Sequence, residues 1–313
     1  MADDPFDRDP AVLHGVAEDV APGVRRVVAP NPSPMTFTGT ASYLVGRERI
    51  AVIDPGPDDP RHIAALRVAA GVGRVVAILV THTHLDHSAG AAALSAATGA
   101  PSYAFGPHGA GIAPRMQALS AADAAAGGAL GGGEGADRGF APTHWLGDGG
   151  TVESDEWRLG ALHTPGHLSN HLCFALEGAG VLFTGDHVMG WATSMVSPPD
   201  GDMAAFMASL EKLARRDDRL YLPGHGRPVR DPAAMVAWQM AHRRAREGQI
   251  LDALAQGSAD PHALTRALYA DVDPRLWPAA ARSVLAHLLA LEAGGRVQAE
   301  GPPGPAARFR LTG

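Results

Sequence analysis

The chain has 313 residues, 46% of them hydrophobic and 19% charged, which allows a full buried core plus a small appendage and excludes a disordered or fibrous protein. A formal net charge of −7 argues against non-specific polyanion binding by the whole surface. The single cysteine, Cys173, excludes an intramolecular disulfide and any cysteine-rich zinc site, and its apolar, strand-like surroundings predict inert burial. The start, Met1-Ala2-Asp3-Asp4-Pro5, is acidic and lacks an apolar stretch, and no later apolar run is long enough to span a bilayer. The expectation is a cytoplasmic protein with no membrane partner. Acidic residues dominate up to Gly226, and a mildly basic tail follows.

After a polar leader, residues 24–29 and 41–45 predict the first strands, joined by Asn31-Pro32-Ser33-Pro34-Met35-Thr36. Residues 50–53 predict a strand that runs into the tight turn Asp54-Pro55-Gly56, where the carboxylate of Asp54 is as readily a turn residue bonding its own backbone as a catalytic group. Helical spacing over 62–68 leads to a continuous apolar run, 75–80, that reads as a buried strand.

That strand delivers Thr81-His82-Thr83-His84-Leu85-Asp86-His87 onto a turn before a helix expected over 88–97. Three imidazoles and a carboxylate within six residues suit two adjacent divalent cations. His82 and His84 project to one side while Asp86 and His87 lie beyond the bend, so each pair suits one metal. Unrelated core or solvated histidines are the bland alternative. More ligand-type side chains on later strand ends weigh against it.

Residues 106–142 are Gly- and Ala-rich, including Gly131-Gly132-Gly133-Glu134-Gly135, and predict a long irregular insert. Its Asp137 and Arg138 could reach the mouth of a site or simply be solvated. Three apolar strands then end in a small or turn residue followed by one ligand-type side chain, giving His167, Asp186 and His225. A helix is expected over 203–214, and residues 197–202 form a rigid loop that could rim a pocket. His171 and His187, beside these ends, could support a ligand or face a substrate, with simple packing the expected role.

Beyond residue 230 the pattern predicts helices from Asp231-Pro232 through Leu251, over 261–269 and over 279–291, then a hairpin over 294–299 and 307–311. The expected division is a hydrolase-type domain at 1–230 and a small winged-helix-like domain at 231–313. His242 and His287 lie on amphipathic helices, where packing is their expected role.

The H-x-H-x-D-H string with the three later strand ends resembles the metallo-β-lactamase superfamily. The leader, the motif spacing and the tail beginning His242-Arg243-Arg244-Ala245-Arg246-Glu247 resemble its β-lactamase-like protein 2 group. That group includes a mitochondrial single-strand endoribonuclease and fungal thioesterases that release polyketides from carrier protein. The resemblance implies an α/β fold, an αββα sandwich of two sheets flanked by helices, where spacing alone shows only alternating strands and helices. It also implies one metal on His82, His84 and His167, a second on Asp86, His87 and His225, and Asp186 bridging both, with Asp86 and Asp186 as the catalytic carboxylates.

Independently of family, three imidazoles leave an open coordination position, and a bridging carboxylate lets two cations share a hydroxide, so hydrolysis is the expected chemistry. Two zinc ions are the first expectation, with iron or manganese suited to the same ligands. The acidic front and the long insert point to a small-molecule ester, thioester or lactone substrate of the glyoxalase II-like kind. The alternative is a single-strand endoribonuclease gripping phosphates with Arg243, Arg244 and Arg246. A DNA-binding winged helix on a vestigial core ranks third, because a dead site should have shed a ligand. A small-molecule partner ranks above RNA, and the tail either packs on the core or supports a homodimer.

Overall fold

The computed structural model describes residues 4–125, 128, 130 and 135–312. Two sheets carry the fold. The first holds seven strands in sequence order: β1 (Ala17–Ala21), β2 (Val24–Val28), β3 (Ala41–Val45), β4 (Arg49–Ile53), β5 (Arg74–Leu79), β6 (Ser102–Ala104) and β7 (His144–Trp145). β1 to β4 pair antiparallel and β4 to β7 parallel, so α1 (Pro60–Ala70) and α3 (Gly90–Thr98) serve as crossovers. The second sheet has the order β12-β11-β10-β9-β8, from β8 (Thr151–Glu153), β9 (Arg158–His163), β10 (Leu172–Leu176), β11 (Val181–Gly185) and β12 (Leu220–Pro223).

Alternation along the strands sorts their side chains into layers. Tyr43, Val45, Ile53 and Leu79 of the first sheet meet Leu159, Phe174, Phe183 and Leu222 of the second in one buried cluster. On the far face of the first sheet, Leu44, Ile50, Val52 and Ile78 pack on Ile63, Leu66 and Leu94 of α1 and α3. On the far face of the second, Cys173, Leu182 and Tyr221 pack on Phe206 and Leu210 of α5 (Met203–Leu213) and on Met235 and Val236 of α6 (Pro232–Leu254). Helix, sheet, sheet, helix is therefore the observed order of layers, the αββα sandwich that the family resemblance implied. Cys173 is fully buried.

The tail continues with α7 (Pro261–Leu268), α8 (Trp277–Ala293) and the hairpin β13 (Val297–Glu300) with β14 (Arg308–Leu311). Asp231 and Asp260 cap α6 and α7, each accepting from a backbone N–H of the first turn, and a proline follows each cap. No helix among the described residues is long and apolar enough to cross a membrane.

Three features differ from the sequence-based expectation. The leader holds a strand, β1, whose exposed side chains gave no apolar alternation; backbone pairing with β2 and a Glu18–Arg26 ion pair of 2.7 Å hold it. The helix expected from residue 88 begins at Leu85, as α2 (Leu85–Ser88), which puts Asp86 and His87 in a helical first turn. The insert is not wholly irregular: α4 (Pro114–Ala125) buries Met116 and Leu119 in one cluster with Leu285 and Leu288 of α8. Its stripe was masked by alanines that are indifferent to burial. Residues 131–134 of the insert lie outside the described residues.

His287 on α8 and His187 after β11 are buried, and burial pushes each down to about 3. Both therefore stay neutral in the fold, while in the unfolded chain they titrate near 6.5. Their contribution to stability is present above pH 6.5 and is lost as pH falls toward about 3, at up to about 1.4 kcal/mol per pH unit for each. Urea unfolding with a chelator present should show stability falling between about pH 6.5 and 4, with His287→Gln flattening that slope. An unchanged slope in this variant would contradict the assignment.

Candidate metal centre

All seven predicted ligand residues converge at the ends of strands from both sheets. His82, His84, His167 and Asp186 form one group, and Asp86, His87 and His225 another, with the donor atoms of each group within 4.8 Å of one another. In the first, His84 Nδ1 lies 3.0 Å from both His82 Nε2 and His167 Nε2. In the second, His87 Nε2 and His225 Nε2 are 3.3 Å apart, and Asp86 Oδ2 is 3.4 and 3.3 Å from them. Asp186 lies between the two groups. Its Oδ2 is 3.9 Å from His82, 3.7 Å from His167 and 3.3 Å from His225, and its Oδ1 is 3.5 Å from His87.

Donors about 2.1 Å from a tetrahedral ion sit about 3.4 Å from one another, which matches these spacings. The outward ring nitrogens give a second test. His87 Nδ1 donates to Asp54 Oδ2 at 2.8 Å, His167 Nδ1 to the Met195 carbonyl at 2.7 Å and His225 Nδ1 to the Gly39 carbonyl at 3.3 Å. His82 Nδ1 lies 2.9 Å from Thr81 Oγ1, whose own proton goes to Asp54 Oδ2 at 2.8 Å. Each of these bonds places a ring proton on Nδ1 and turns Nε2 inward. The inward lone pairs of His82, His84 and His167, whose rings burial keeps neutral, repel one another, and among the described residues Asp186 Oδ1 is buried with no hydrogen-bond partner. A cation relieves both. The cluster fits divalent metal ions, and either group could hold one.

The electrostatics of the two groups differ. Burial, and then the neighbouring His167, push His84 down to about 3. Burial also disfavours charge on His225, but Asp186 and Asp86 outweigh it and raise the imidazole to about 9, so a proton competes with a cation for its inward Nε2. His87 is likewise raised, the carboxylates of Asp86, Asp186 and Asp54 overcoming its burial.

Sequence reasoning missed the supporting shell. The carboxylate of Asp54 serves no turn of its own: Oδ1 accepts from Thr81 N at 2.7 Å and Oδ2 orients His87, from a left-handed backbone at φ 50°. Thr40 Oγ1 donates to Asp86 Oδ2 at 2.9 Å, and Asn31 fixes Thr40 through its own side chain at 2.9 and 3.0 Å. His171 and His187 stay outside the ligand cluster; the His171 ring nitrogens face Thr164 Oγ1 at 2.9 Å and Asp186 N at 3.3 Å. Asp137 of the insert does reach the site's edge, accepting from Ser88 Oγ at 2.8 Å. Asp200, from the expected rim loop, lines the cavity and pairs with His108 at 3.5 Å.

A cavity of about 440 Å³ opens onto His84, Asp86, His167, Asp186 and His225. Met35, Leu168, Met195, Leu276, Pro278 and Ala279 make much of its wall apolar, while Arg275 and Arg282 also line it, so the tail supplies one side and brings two guanidinium groups to it. The arginine cluster expected to grip RNA does not line it. Arg243 donates to the Ser194 carbonyl, Arg244 pairs with Glu211 at 3.4 Å, and Arg246 bonds the Leu268 carbonyl and covers Tyr269.

An αββα sandwich whose strand ends gather five imidazoles and two carboxylates defines a metal-binding hydrolase fold. The chain belongs to the metallo-beta-lactamase superfamily, whose profile matches residues 35–225, and the profile of the beta-lactamase associated winged helix domain matches residues 261–304. It is a hydrolase of that superfamily. Over 88% of its length the chain is 29% identical to a beta-lactamase-like protein 2 homolog of Drosophila melanogaster, covering 89% of that protein. It is 32% identical to an atrochrysone carboxyl ACP thioesterase of Aspergillus chevalieri, over 76% of this chain and 67% of that one. A crystal structure of a metallo-beta-lactamase family protein from Thermus thermophilus superposes with a TM-score of 0.74 at 26% identity, over 94% of this chain and all of that one.

Proposed function

We propose that the protein hydrolyses a small ester, thioester or lactone at a dinuclear centre. His82, His84 and His167 would hold one ion and Asp86, His87 and His225 the other, with Asp186, which lies between the two groups, serving both and zinc as the native metal. The observation that carries this reading is the set of outward hydrogen bonds that turns four imidazoles to a common interior, opening onto an apolar cavity. Bound divalent cations supply a nucleophile from water near neutral pH and polarise the oxygen under attack. The chain's own part is positional. Asp54 and Met195 fix the histidine rings, Thr40 steadies Asp86, and the apolar walls seat the acyl portion of the substrate while excluding bulk water.

The thioesterase name of the Aspergillus chevalieri relative favours an acyl substrate. The engagement of Arg243, Arg244 and Arg246 within the fold weighs against the RNA grip expected of them, while Arg275 and Arg282 at the cavity keep phosphodiester hydrolysis as the alternative. A division into residues 1–230 and 231–313 belongs to the same proposal, with the second unit closing the substrate cavity through Leu276, Pro278 and Ala279.

Paired assays of an acyl thioester and lactone panel against a fluorescent single-stranded RNA test the reading, using the native protein and His84→Ala with metal content measured in both. Thioester or lactone turnover that disappears with the metal is expected. RNA cleavage with an intact acyl panel would replace this function by phosphodiester hydrolysis.

A further inference from the structure

Helix α6 belongs to the tail, yet two of its side chains reach the loop that follows Asp186. Gln239 Nε2 donates to the Met189 carbonyl at 3.4 Å, and one turn later Arg243 donates through Nη2 to the Ser194 carbonyl. Arg243 is buried, and its guanidinium lies over Phe206 of α5, 5.2 Å from the ring centroid. A buried guanidinium is costly unless its bonds fix something, and among the described residues the bond to Ser194 is a carbonyl contact that brings no opposite charge. The peptide it grips is one contact from the metal centre on two sides. Ser194 Oγ donates to the backbone carbonyl of Asp186 and lies 3.4 Å from His167 Nδ1, while the next residue's carbonyl, Met195 O, accepts the His167 ring proton at 2.7 Å.

We propose that Arg243 is a positioning residue for the metal centre: it holds the Ser194–Met195 backbone so that His167 and Asp186 keep their orientation. The tail is then part of the metal site's construction as well as a wall of its cavity. This inference rests on the proposed role of His167 and Asp186 as ligands, and it concerns how they are held. Arg243 touches neither substrate nor ion. Its effect passes through consecutive contacts, namely guanidinium to Ser194 carbonyl, Ser194 hydroxyl to Asp186 carbonyl, and Met195 carbonyl to the His167 ring.

The test compares full-length wild type, R243K, S194A, their double variant and R246A. Arg246 controls for the loss of a tail arginine, since its bond goes to Leu268 and its ring contact to Tyr269, both within the tail. Chelator competition with zinc gives the affinity, and the absorption spectrum of cobalt-loaded protein reports ligand geometry independently of turnover. R243K and S194A should each weaken one of the two binding events by about 10–100-fold and alter the cobalt spectrum, as loss of an outer partner of a ligand does. The double variant should be less than additive, because both act on one loop. R246A should lower thermal stability while leaving affinity and spectrum as in wild type.

If R243K binds both ions like wild type with an unchanged cobalt spectrum, Arg243 merely anchors the tail and the inference is overturned, whatever S194A does. Should R243K fail to fold, R243Q, which keeps an N–H donor without the charge, carries the same test, with wild-type-like affinity and spectrum again overturning the inference. A wild-type protein that takes up no ion at all would overturn the proposed function and this inference together, whereas wild-type binding with unaffected variants overturns only the inference.

Discussion

Asp186→Asn should remove hydrolysis and metal binding together while leaving the fold in place. The Asp186 oxygens lie within 3.9 Å of histidines from both groups, with Oδ2 toward His82, His167 and His225 and Oδ1 toward His87. An amide of the same shape keeps the packing but presents no anion to either ion. Its NH2 group would also point protons at a set of inward lone pairs. Metal-assisted charge stabilisation amounts to several kcal/mol. At about 1.36 kcal/mol per factor of ten, turnover should fall by about 10³-fold or more. Metal analysis after dialysis, together with circular dichroism of the same sample, checks this. A variant holding both ions and retaining wild-type kcat/KM would refute the bridging role.

Gly224→Ala should damage the same site by steric means alone. A Cβ at position 224 would lie 2.5 Å from Asp186 Oδ1 and 2.5 Å from His87 Cε1, closer than side chains tolerate. The backbone cannot retreat, because it is pinned from both sheets: Gly224 N donates to the Gly185 carbonyl at 2.8 Å, and its own carbonyl accepts from Ala41 N at 2.7 Å. The adjacent Pro223 carbonyl holds the Tyr43 hydroxyl at 2.6 Å. Asp186 and His87 must therefore move, and misplacing reacting groups by about 1 Å costs about 10²-fold in rate. The expected result is weaker metal binding than in wild type, with one ion lost on the dinuclear reading, and turnover lowered by at least about 10²-fold. A crystal structure of the variant with both side chains unmoved, or full metal occupancy, would contradict the argument.

These two positions differ in how they announce themselves. Asp186 carries a ligand-type side chain after an apolar strand, as His167 and His225 do, and His82, His84, Asp86 and His87 are adjacent in sequence, so local pattern alone marked all seven as candidates. Gly224 shows its importance only through what a Cβ would meet. The packed layers were legible because strand alternation and buried runs are written residue by residue. The winged tail was legible as helices with Asp caps and a terminal hairpin.

The supporting contacts carry no such local mark. Asp54 looked like a turn residue because its partners, Thr81 and His87, lie 27 and 33 positions away. The arginines of α6 looked like a basic patch, yet Arg243 is buried against a carbonyl 49 positions earlier. Helix α4 hid in an Ala- and Gly-rich insert because its burial is against α8, which supplies the apolar surface that makes Met116 and Leu119 a core face. The sequence by itself thus determined the layers and the metal-type side chains, whose signals are periodic or contiguous. Only the tertiary structure decided which polar groups orient those side chains and how the tail joins the site, because those contacts depend on backbone groups that every residue shares and on chain segments brought together only by folding.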